Sequence, residues 1–270
     1  MITRRFFNLA AILAPFGIAQ TARADDQGAA RTGANGHDMS HTPPEWQGSE
    51  QVVFLAYPGM TALDLVGPQY MFASMMGASV RIAAKTLDPV VTDTGITILP
   101  DIVLADAPEA PDVLCVPGAG SGILDVLEDA ETIDWLARTG EKARYVTSVC
   151  TGTLLLGKAG LIDGYKVTSH WITRPLVEEF GAIPVDARVV RDRNRVTGGG
   201  VTAGIDFGLT LLAEMRGEDY AKAVQLLAEY DPAPPFDAGT PDKAGAHLTQ
   251  MLETMFTGFK TRFAQIVSKG

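Results

Sequence analysis

Short runs of β-branched and aliphatic residues alternate with longer helical stretches from residue 51 onward. The β-rich runs cover residues 52–56, 79–84, 113–116 and 144–149, and the helical stretches lie near 69–76, 123–142, 151–159, 174–180 and 202–215. Strands separated by helices form mainly parallel sheets that are covered on both faces. The sequence therefore predicts one α/β domain over residues 49–241, followed by an amphipathic helix within residues 242–270.

Four segments of this domain are expected to meet. In an open α/β sheet, ligands bind beyond the carboxyl ends of the strands. Three segments follow predicted strands and a fourth precedes a late helix; they are residues 57–68, 117–122, 148–152 and 198–200. We therefore expect the functional site to be assembled from these loops.

Cys150 is the leading candidate for a reactive group. It lies in Ser-Val-Cys-Thr-Gly at residues 148–152, between an apolar strand and a helix, which is typical of a nucleophile elbow that turns its side chain into solvent. The amides and dipole of a helix N-terminus stabilise a thiolate and lower its pKa. We predict an exposed, readily ionised nucleophile at Cys150; a buried cysteine that caps the helix is the alternative.

The second cysteine, Cys115, lies in the apolar run 113–116. There a cysteine usually behaves as a small buried hydrophobic residue. A disulfide between Cys115 and Cys150 is an alternative in an oxidising compartment, although a domain of this size does not need one.

The glycine-rich loop 117–122 follows the Cys115 strand. Its glycines let backbone amides converge on an anion, which predicts an oxyanion hole at Ala119 and Gly120, beside Gly118. A phosphate-binding loop is the alternative, but the segment lacks the lysine of a P-loop and the longer fingerprint of a dinucleotide site.

Two further titratable residues are candidates. Asp64 stands among apolar residues, so we expect a buried carboxyl with a raised pKa that can serve as acid and base towards the thiol; a cap for a helix that begins near Pro68 is the alternative. His170 could act as a base, but no local motif supports this and a structural role is favoured.

The N-terminus has the features of an export signal. Residues 1–24 combine the pair Arg4-Arg5, a short apolar stretch and an Ala-Arg-Ala cleavage site, which predicts twin-arginine export to the periplasm or medium. Residues 25–48 are predicted to be a flexible linker. Its His37 and His41 have a spacing that could hold a soft metal, although a solvated tether is favoured.

The net charge of −10 also limits the partners of the protein. No basic stretch follows the first few residues, which argues against a nucleic-acid surface or an anchor on anionic lipid. A small molecule is the expected partner.

Several motifs together resemble the PfpI/class I glutamine amidotransferase-like superfamily, from about residue 52 to 241. Residues 229–236 (Glu-Tyr-Asp-Pro-Ala-Pro-Pro-Phe) are similar to its isonitrile hydratase branch. The other motifs are residues 64–68 (Asp-Leu-Val-Gly-Pro), 117–120 (Pro-Gly-Ala-Gly), 148–152, 159–164 (Ala-Gly-Leu-Ile-Asp-Gly), 168–171 (Thr-Ser-His-Trp) and 197–206 (Thr-Gly-Gly-Gly-Val-Thr-Ala-Gly-Ile-Asp).

The resemblance implies a flavodoxin-like three-layer sandwich, a homodimer and no metal or organic cofactor. It also implies hydration of an isonitrile to an N-substituted formamide, with Cys150 as nucleophile, Asp64 as acid/base and Thr151 positioning water. Gly199, Val201 and His170 are further candidates for substrate contact. All of these residues lie within the motifs given above.

One departure from the superfamily bears on the reaction. PfpI-type peptidases carry a histidine directly after the cysteine, where this chain has Thr151, which argues against peptidase chemistry. Another cysteine-dependent lyase or hydrolase of the superfamily, a thiol-based stress or redox module and a ligand-sensing module remain as alternatives.

Overall fold

A computed structural model describes residues 40–269, and its main folded unit begins at Pro43. The strands are β1 Gln51–Leu55, β2 Ser79–Ala84, β3 Val90–Val91, β4 Thr97–Ile98, β5 Ile102–Val103, β6 Val113–Val116, β7 Tyr145–Val149, β8 Lys166–Val167, β9 Ile183–Pro184, β10 Val189–Asp192 and β11 Arg195–Gly198. The predicted strands at 79–84 and 113–116 are confirmed at both ends. The short strands β3, β4, β5, β8 and β9 were not predicted, nor were the sheet strands β10 and β11.

The helices surround this set of strands. They are α1 Ala62–Ala73, α2 Gly122–Leu127, α3 Ala130–Lys142, α4 Gly152–Lys158, α5 Ala203–Arg216, α6 Glu218–Leu227, α7 Pro241–Ala244, α8 Ala246–Met255 and α9 Thr257–Val267. Single turns or short runs of 3₁₀ helix cover Pro44–Trp46, Leu104–Asp106 and Arg174–Phe180.

The central sheet has seven strands in the order β10-β11-β7-β6-β1-β2-β5, and every neighbouring pair is parallel except β10 with β11. Helices α1, α5 and α6 pack together, and α2, α3 and α4 form a second group. The middle strands β1, β6 and β7 are buried along almost their whole length because helices cover both faces of the sheet. The predicted α/β fold with a mainly parallel sheet and C-terminal helices is therefore confirmed.

Helix α1 begins earlier than the sequence predicted. The prediction took Pro68 as the start of a helix, because proline favours the first turn, but the helix begins at Ala62 and contains Pro68. Leu65, Met71 and Phe72 of this helix are buried against the core. Their burial outweighs the backbone hydrogen bond that proline cannot make.

The boundaries of two other segments also differ from prediction. The helix expected over 123–142 is two helices, and the C-terminal helix is three, broken at Gly245, which has a φ of 82°, and at Phe256. The predicted linker 25–48 extends too far, because Trp46 packs on Tyr220 with ring centroids 4.9 Å apart. Arg216 anchors the same segment through the Trp46 carbonyl and Glu50. The predicted export signal and His37 lie outside the described residues.

Candidate active site

Cys150 occupies a sharp turn between β7 and α4. Its φ of 58° places it in the left-handed region, which residues other than glycine rarely adopt. Gly152 follows so close to the Val116 carbonyl that a Cβ at that position would overlap it. Small neighbours and a strained backbone give Cys150 the geometry of a nucleophile elbow.

The Cys150 side chain is buried rather than exposed. Only 4% of the residue is accessible to solvent, so the expectation of an exposed thiol is wrong. Burial raises the pKa of the Cys150 thiol well above its usual value, and the negative charge of Asp64 raises it further. The amide and hydroxyl of Thr151 lower it, as expected at a helix N-terminus, but they do not outweigh burial. The predicted lowering of this pKa is therefore wrong too.

Asp64 is the carboxyl that faces the thiol. It lies in the first turn of α1 and is fully buried, and burial raises its pKa from 3.8 to about 7. Its Oδ2 accepts a hydrogen bond from the Gly118 amide at 2.9 Å, and interaction with Cys150 also opposes the rise in its pKa. The predicted buried, raised-pKa carboxyl is confirmed, and Asp64 does not cap a helix that begins at Pro68.

The second oxygen of Asp64 is unusual. Oδ1 is completely buried and accepts no hydrogen bond of normal geometry from residues 40–269. An unpartnered carboxylate oxygen in an apolar site costs free energy, and it favours a proton on that atom. Asp64 therefore has one oxygen held by the backbone and the other free to take up or deliver a proton beside Cys150.

Thr151 fixes the glycine-rich loop against the elbow. Its Oγ1 accepts the Ala119 amide at 2.8 Å and donates to the Ala119 carbonyl at 2.7 Å. The Ala119 amide and the Gly118 amide therefore both have partners, which differs from the predicted oxyanion hole at Ala119. Gly120 is exposed, with open space beside its Cα. The Thr151 amide, which lowers the pKa of Cys150, is the donor that faces the sulfur.

Of the other predicted contact residues, His170 contacts Cys150 through its backbone, whereas Gly199 and Val201 make other contacts. The His170 amide donates to the Cys150 carbonyl at 3.3 Å, whereas its imidazole Nδ1 accepts from the Ile172 amide at 3.4 Å. Burial lowers the pKa of His170, with a contribution from Arg174. Gly199 donates to the Arg188 carbonyl at 2.8 Å, and Val201 packs against the core. The structural role of His170 is thus the one that its contacts support.

Cys115 and Cys150 are both free thiols, so the alternative of a disulfide is excluded in this structure. Cys115 lies inside β6 with no accessible surface, and burial raises its pKa to about 12. The prediction that Cys115 is a small buried hydrophobic residue is confirmed.

Two residues that the sequence did not single out belong to the site. The buried Tyr57 donates to the Pro117 carbonyl at 2.8 Å, and burial raises its pKa, as do the charges of Asp64 and Cys150. Ser169 donates to the Cys150 carbonyl at 2.8 Å. Tyr57 and Ser169 lie in segments that the sequence analysis predicted to be part of the site or of a family motif. Their hydroxyls reach the elbow only through the folded backbone.

A cavity of about 570 Å³ adjoins the site through Tyr57, at the carboxyl ends of β1 and β2. Apolar side chains, including Pro58 and Val126, form much of its wall. Its Lys85 is paired with Asp129 at 3.1 Å and Glu131 at 3.0 Å. Such a cavity suits a small uncharged molecule. Within residues 40–269, no group of three or more histidine, cysteine or acidic residues is arranged to hold a metal ion.

Comparison with known proteins agrees with this architecture. Residues 50–214 match the model of the DJ-1/PfpI family. This chain belongs to the DJ-1/PfpI family. Among its DJ-1/PfpI relatives, the isonitrile hydratase of Pseudomonas putida is 50% identical over 194 residues, which are 72% of this chain and 84% of that protein. The crystal structure of a THiJ/PfpI family protein from Pseudomonas syringae is also 50% identical, with a TM-score of 0.81, covering 85% of this chain and 94% of the other.

A regulator also shares the DJ-1/PfpI region. The HTH-type transcriptional regulator GbdR of Pseudomonas aeruginosa is 29% identical over 197 residues, and this chain spans about half of its length, 53%. The similarity therefore concerns one part of that regulator. No helix among the described residues of this DJ-1/PfpI protein is long and apolar enough to cross a membrane.

Proposed function

We propose that this protein hydrates an isonitrile, R–N≡C, to the N-substituted formamide R–NH–CHO. The observation that carries the proposal is the buried pair of Cys150 and Asp64, in which a strained elbow holds a thiol against a carboxyl with a pKa of about 7. The 50% identity to an isonitrile hydratase over most of that enzyme supports the choice of reaction. The largely apolar wall of the adjoining cavity suits an uncharged substrate.

In the first half of the reaction, the Cys150 sulfur bonds to the terminal carbon of the isonitrile. The thiol proton passes to Asp64 as the bond forms, and Asp64 then delivers it to that carbon, which gives the thioimidate R–N=CH–S–Cys150. A carboxyl with a pKa near neutrality is suited to accept and return a proton in the same step. A thiol of raised pKa ionises only as its proton is taken, so the resting site holds no persistent charge on sulfur.

In the second half, water adds to the thioimidate carbon. Asp64 takes a proton from the water and passes it to the nitrogen, so that the carbon carries hydrogen, hydroxyl, sulfur and NH–R and Asp64 is again a carboxylate. The carbon–sulfur bond then breaks with its electron pair on sulfur, the hydroxyl proton passes through Asp64 to sulfur, and the formamide leaves. Thr151 holds the glycine-rich loop in place and directs its amide at the sulfur throughout.

Replacement of the nucleophile tests this mechanism. Cys150→Ala should reduce formation of N-cyclohexylformamide from cyclohexyl isocyanide by roughly 10⁴-fold or more, because no carbon–sulfur bond can form. Proton NMR of the formyl hydrogen measures the product. Cys115→Ala is the matched control, since it removes the other thiol from inside β6, and it should retain turnover. Unchanged rates in Cys150→Ala would exclude the proposed nucleophile.

Other reactions of a cysteine-dependent superfamily member are distinguished by substrate. The same enzyme should be assayed with glyoxals and with amides, at equal concentration, beside the isonitrile. Faster turnover of either class would replace the isonitrile proposal while keeping Cys150. Oxidation of Cys150 to sulfinic acid without turnover of any substrate would favour a redox role.

We also propose that the protein is exported through its twin-arginine signal and acts as a homodimer. Arg4 and Arg5, followed by an apolar stretch and Ala22-Arg23-Ala24, support export. Replacing both arginines by lysine should retain the precursor in the cytoplasm, as seen by fractionation and immunoblotting, whereas Arg23→Lys should not. Export of the double variant would refute this route.

The homodimer is tested separately. Light scattering of the purified protein would measure its oligomeric state, and a monomer would refute the proposal.

A further inference from the structure

Three donors among residues 40–269 hold the carbonyl of Cys150. Ser169 Oγ donates to it at 2.8 Å, the His170 amide at 3.3 Å and Thr153 Oγ1 at 3.5 Å. Only the Ser169 bond is both short and made by a side chain. Ser169 is itself 1% exposed, so water does not compete for this bond.

These bonds act on a residue that is under backbone strain. A non-glycine residue in the left-handed region is strained, and it stays there only when its surroundings hold it. The φ of Cys150 is 58°. A donor that fixes its carbonyl restrains the backbone from which the Cys150 side chain projects.

We propose that Ser169 is a positioning residue whose hydroxyl, by holding the Cys150 carbonyl, keeps the thiol turned towards Asp64. Ser169 bonds the backbone of Cys150 and acts through it. The proposal rests on the Cys150–Asp64 pair of the proposed function and is independent of which substrate the pair acts on.

Ser148 provides a matched control in the same hydroxyl network. It has no accessible surface, and its Oγ bonds Thr153 Oγ1 at 2.8 Å without itself bonding the Cys150 carbonyl, from which Thr153 Oγ1 is 3.5 Å distant. Ser148→Ala and Ser169→Ala each remove one buried hydroxyl, so they should lower the thermal midpoint of unfolding by similar amounts. A role in positioning should separate them, whereas a purely structural role should not.

The test is the pH dependence of Cys150 alkylation by iodoacetamide, in a Cys115→Ala background. Below pH 7 the thiolate fraction rises with pH. Above the pKa of Asp64, about 7, the abundant form of the pair has a protonated Cys150 and an ionised Asp64. The reactive form has an ionised Cys150 and a protonated Asp64. Both forms carry one proton, so the ratio between them does not change with pH. The alkylation rate should therefore stop rising near pH 7 when the two groups are in contact.

The unsubstituted protein and Ser148→Ala should both show this break, and Ser169→Ala should lose it because the thiol turns away from Asp64. Turnover of cyclohexyl isocyanide should fall roughly 10- to 100-fold in Ser169→Ala through kcat, with little change in KM. Ser169→Thr keeps the hydroxyl and should keep the break, which gives a second reading if the alanine variant does not fold.

A break that survives in Ser169→Ala, or that disappears equally in Ser148→Ala, would overturn the proposal. A break lost in Ser169→Thr, or absent from the unsubstituted protein, would also overturn it. If no isonitrile is hydrated but the break depends on Ser169, the proposed function fails while the positioning role stands.

Discussion

Burial of Asp64 has a cost for the folded protein. Its carboxyl has no accessible surface, and its pKa rises from 3.8 to about 7 because the charged form is desolvated. The unfolded chain therefore binds fewer protons than the folded one between these two values. Stability is unaffected below pH 3.8, falls as the pH rises towards 7, and stays reduced above it. This rise in the pKa of Asp64 corresponds to up to about 4 kcal/mol of lost stability above pH 7.

Asp64→Asn should therefore be more stable than the unsubstituted protein at pH 8, by up to about 4 kcal/mol. Asparagine can still accept the Gly118 amide but carries no charge to desolvate. Urea denaturation at pH 8 and pH 4 measures the difference, which should vanish at the lower pH because both side chains are then neutral. The variant should also lose isonitrile turnover. A gain in stability that is equal at both pH values would contradict the assigned cause.

The glycine-rich loop shows how closely the elements pack around the site. A Cβ on Gly118 would lie 2.6 Å from both the amide nitrogen and Oγ1 of Thr151, and 2.9 Å from Asp64 Oδ2. Two residues later, a Cβ on Gly120 would meet nothing within 4 Å. Glycine is therefore required for lack of space at Gly118, where the loop approaches α1 and α4, but not at Gly120.

Gly118→Ala should separate the loop from Thr151 and Asp64. We expect a loss of about 1–3 kcal/mol of stability from overpacking, together with loss of turnover. Gly120→Ala is the matched control and should change the thermal midpoint little, because its site is open. Calorimetry of the two variants measures this contrast. If both variants were destabilised equally, the need for glycine at both positions would come from backbone conformational freedom and not from lack of space at Gly118.

At the scale of the whole molecule, the C-terminal helices complete the core beside the site. Phe263 of α9 is 1% exposed and meets Phe180 edge to face, with centroids 5.9 Å apart. Phe256, where α8 ends, stacks on His170 at 6.3 Å. Arg262 joins α9 to α2 through Asp125 at 2.7 Å. The extension is therefore tied to the same segment that holds the Cys150 carbonyl.

Phe263→Ala should destabilise the protein by about 3–5 kcal/mol, since it leaves a cavity in a buried aromatic contact. Thr261→Ala, on the exposed side of the same helix, should change stability by less than about 0.5 kcal/mol. Denaturant titration of both variants provides the measurement. A small effect at Phe263 would mean that α9 is not part of the cooperative core.

Periodicity and local motifs predicted the α/β sheet, the turn at Cys150 and the burial of Asp64, because strand length, small residues and apolar neighbours are local properties. They failed where a distant contact outweighs a local preference. Pro68 stands inside α1 because that helix is buried, and the Ala119 amide is used by Thr151 from another strand end. The pKa of Cys150 was predicted in the wrong direction because the helix N-terminus is visible in the sequence and desolvation is not.

The sequence alone determined that strands and helices alternate, which loops meet at the carboxyl edge of the sheet, and which thiol stands at a turn. Tertiary structure alone decided that the thiol is buried, that one oxygen of Asp64 has no partner among residues 40–269, and that Ser169 holds the Cys150 carbonyl. The physical reason is that burial and hydrogen-bond partners depend on segments distant in sequence, which no local pattern encodes.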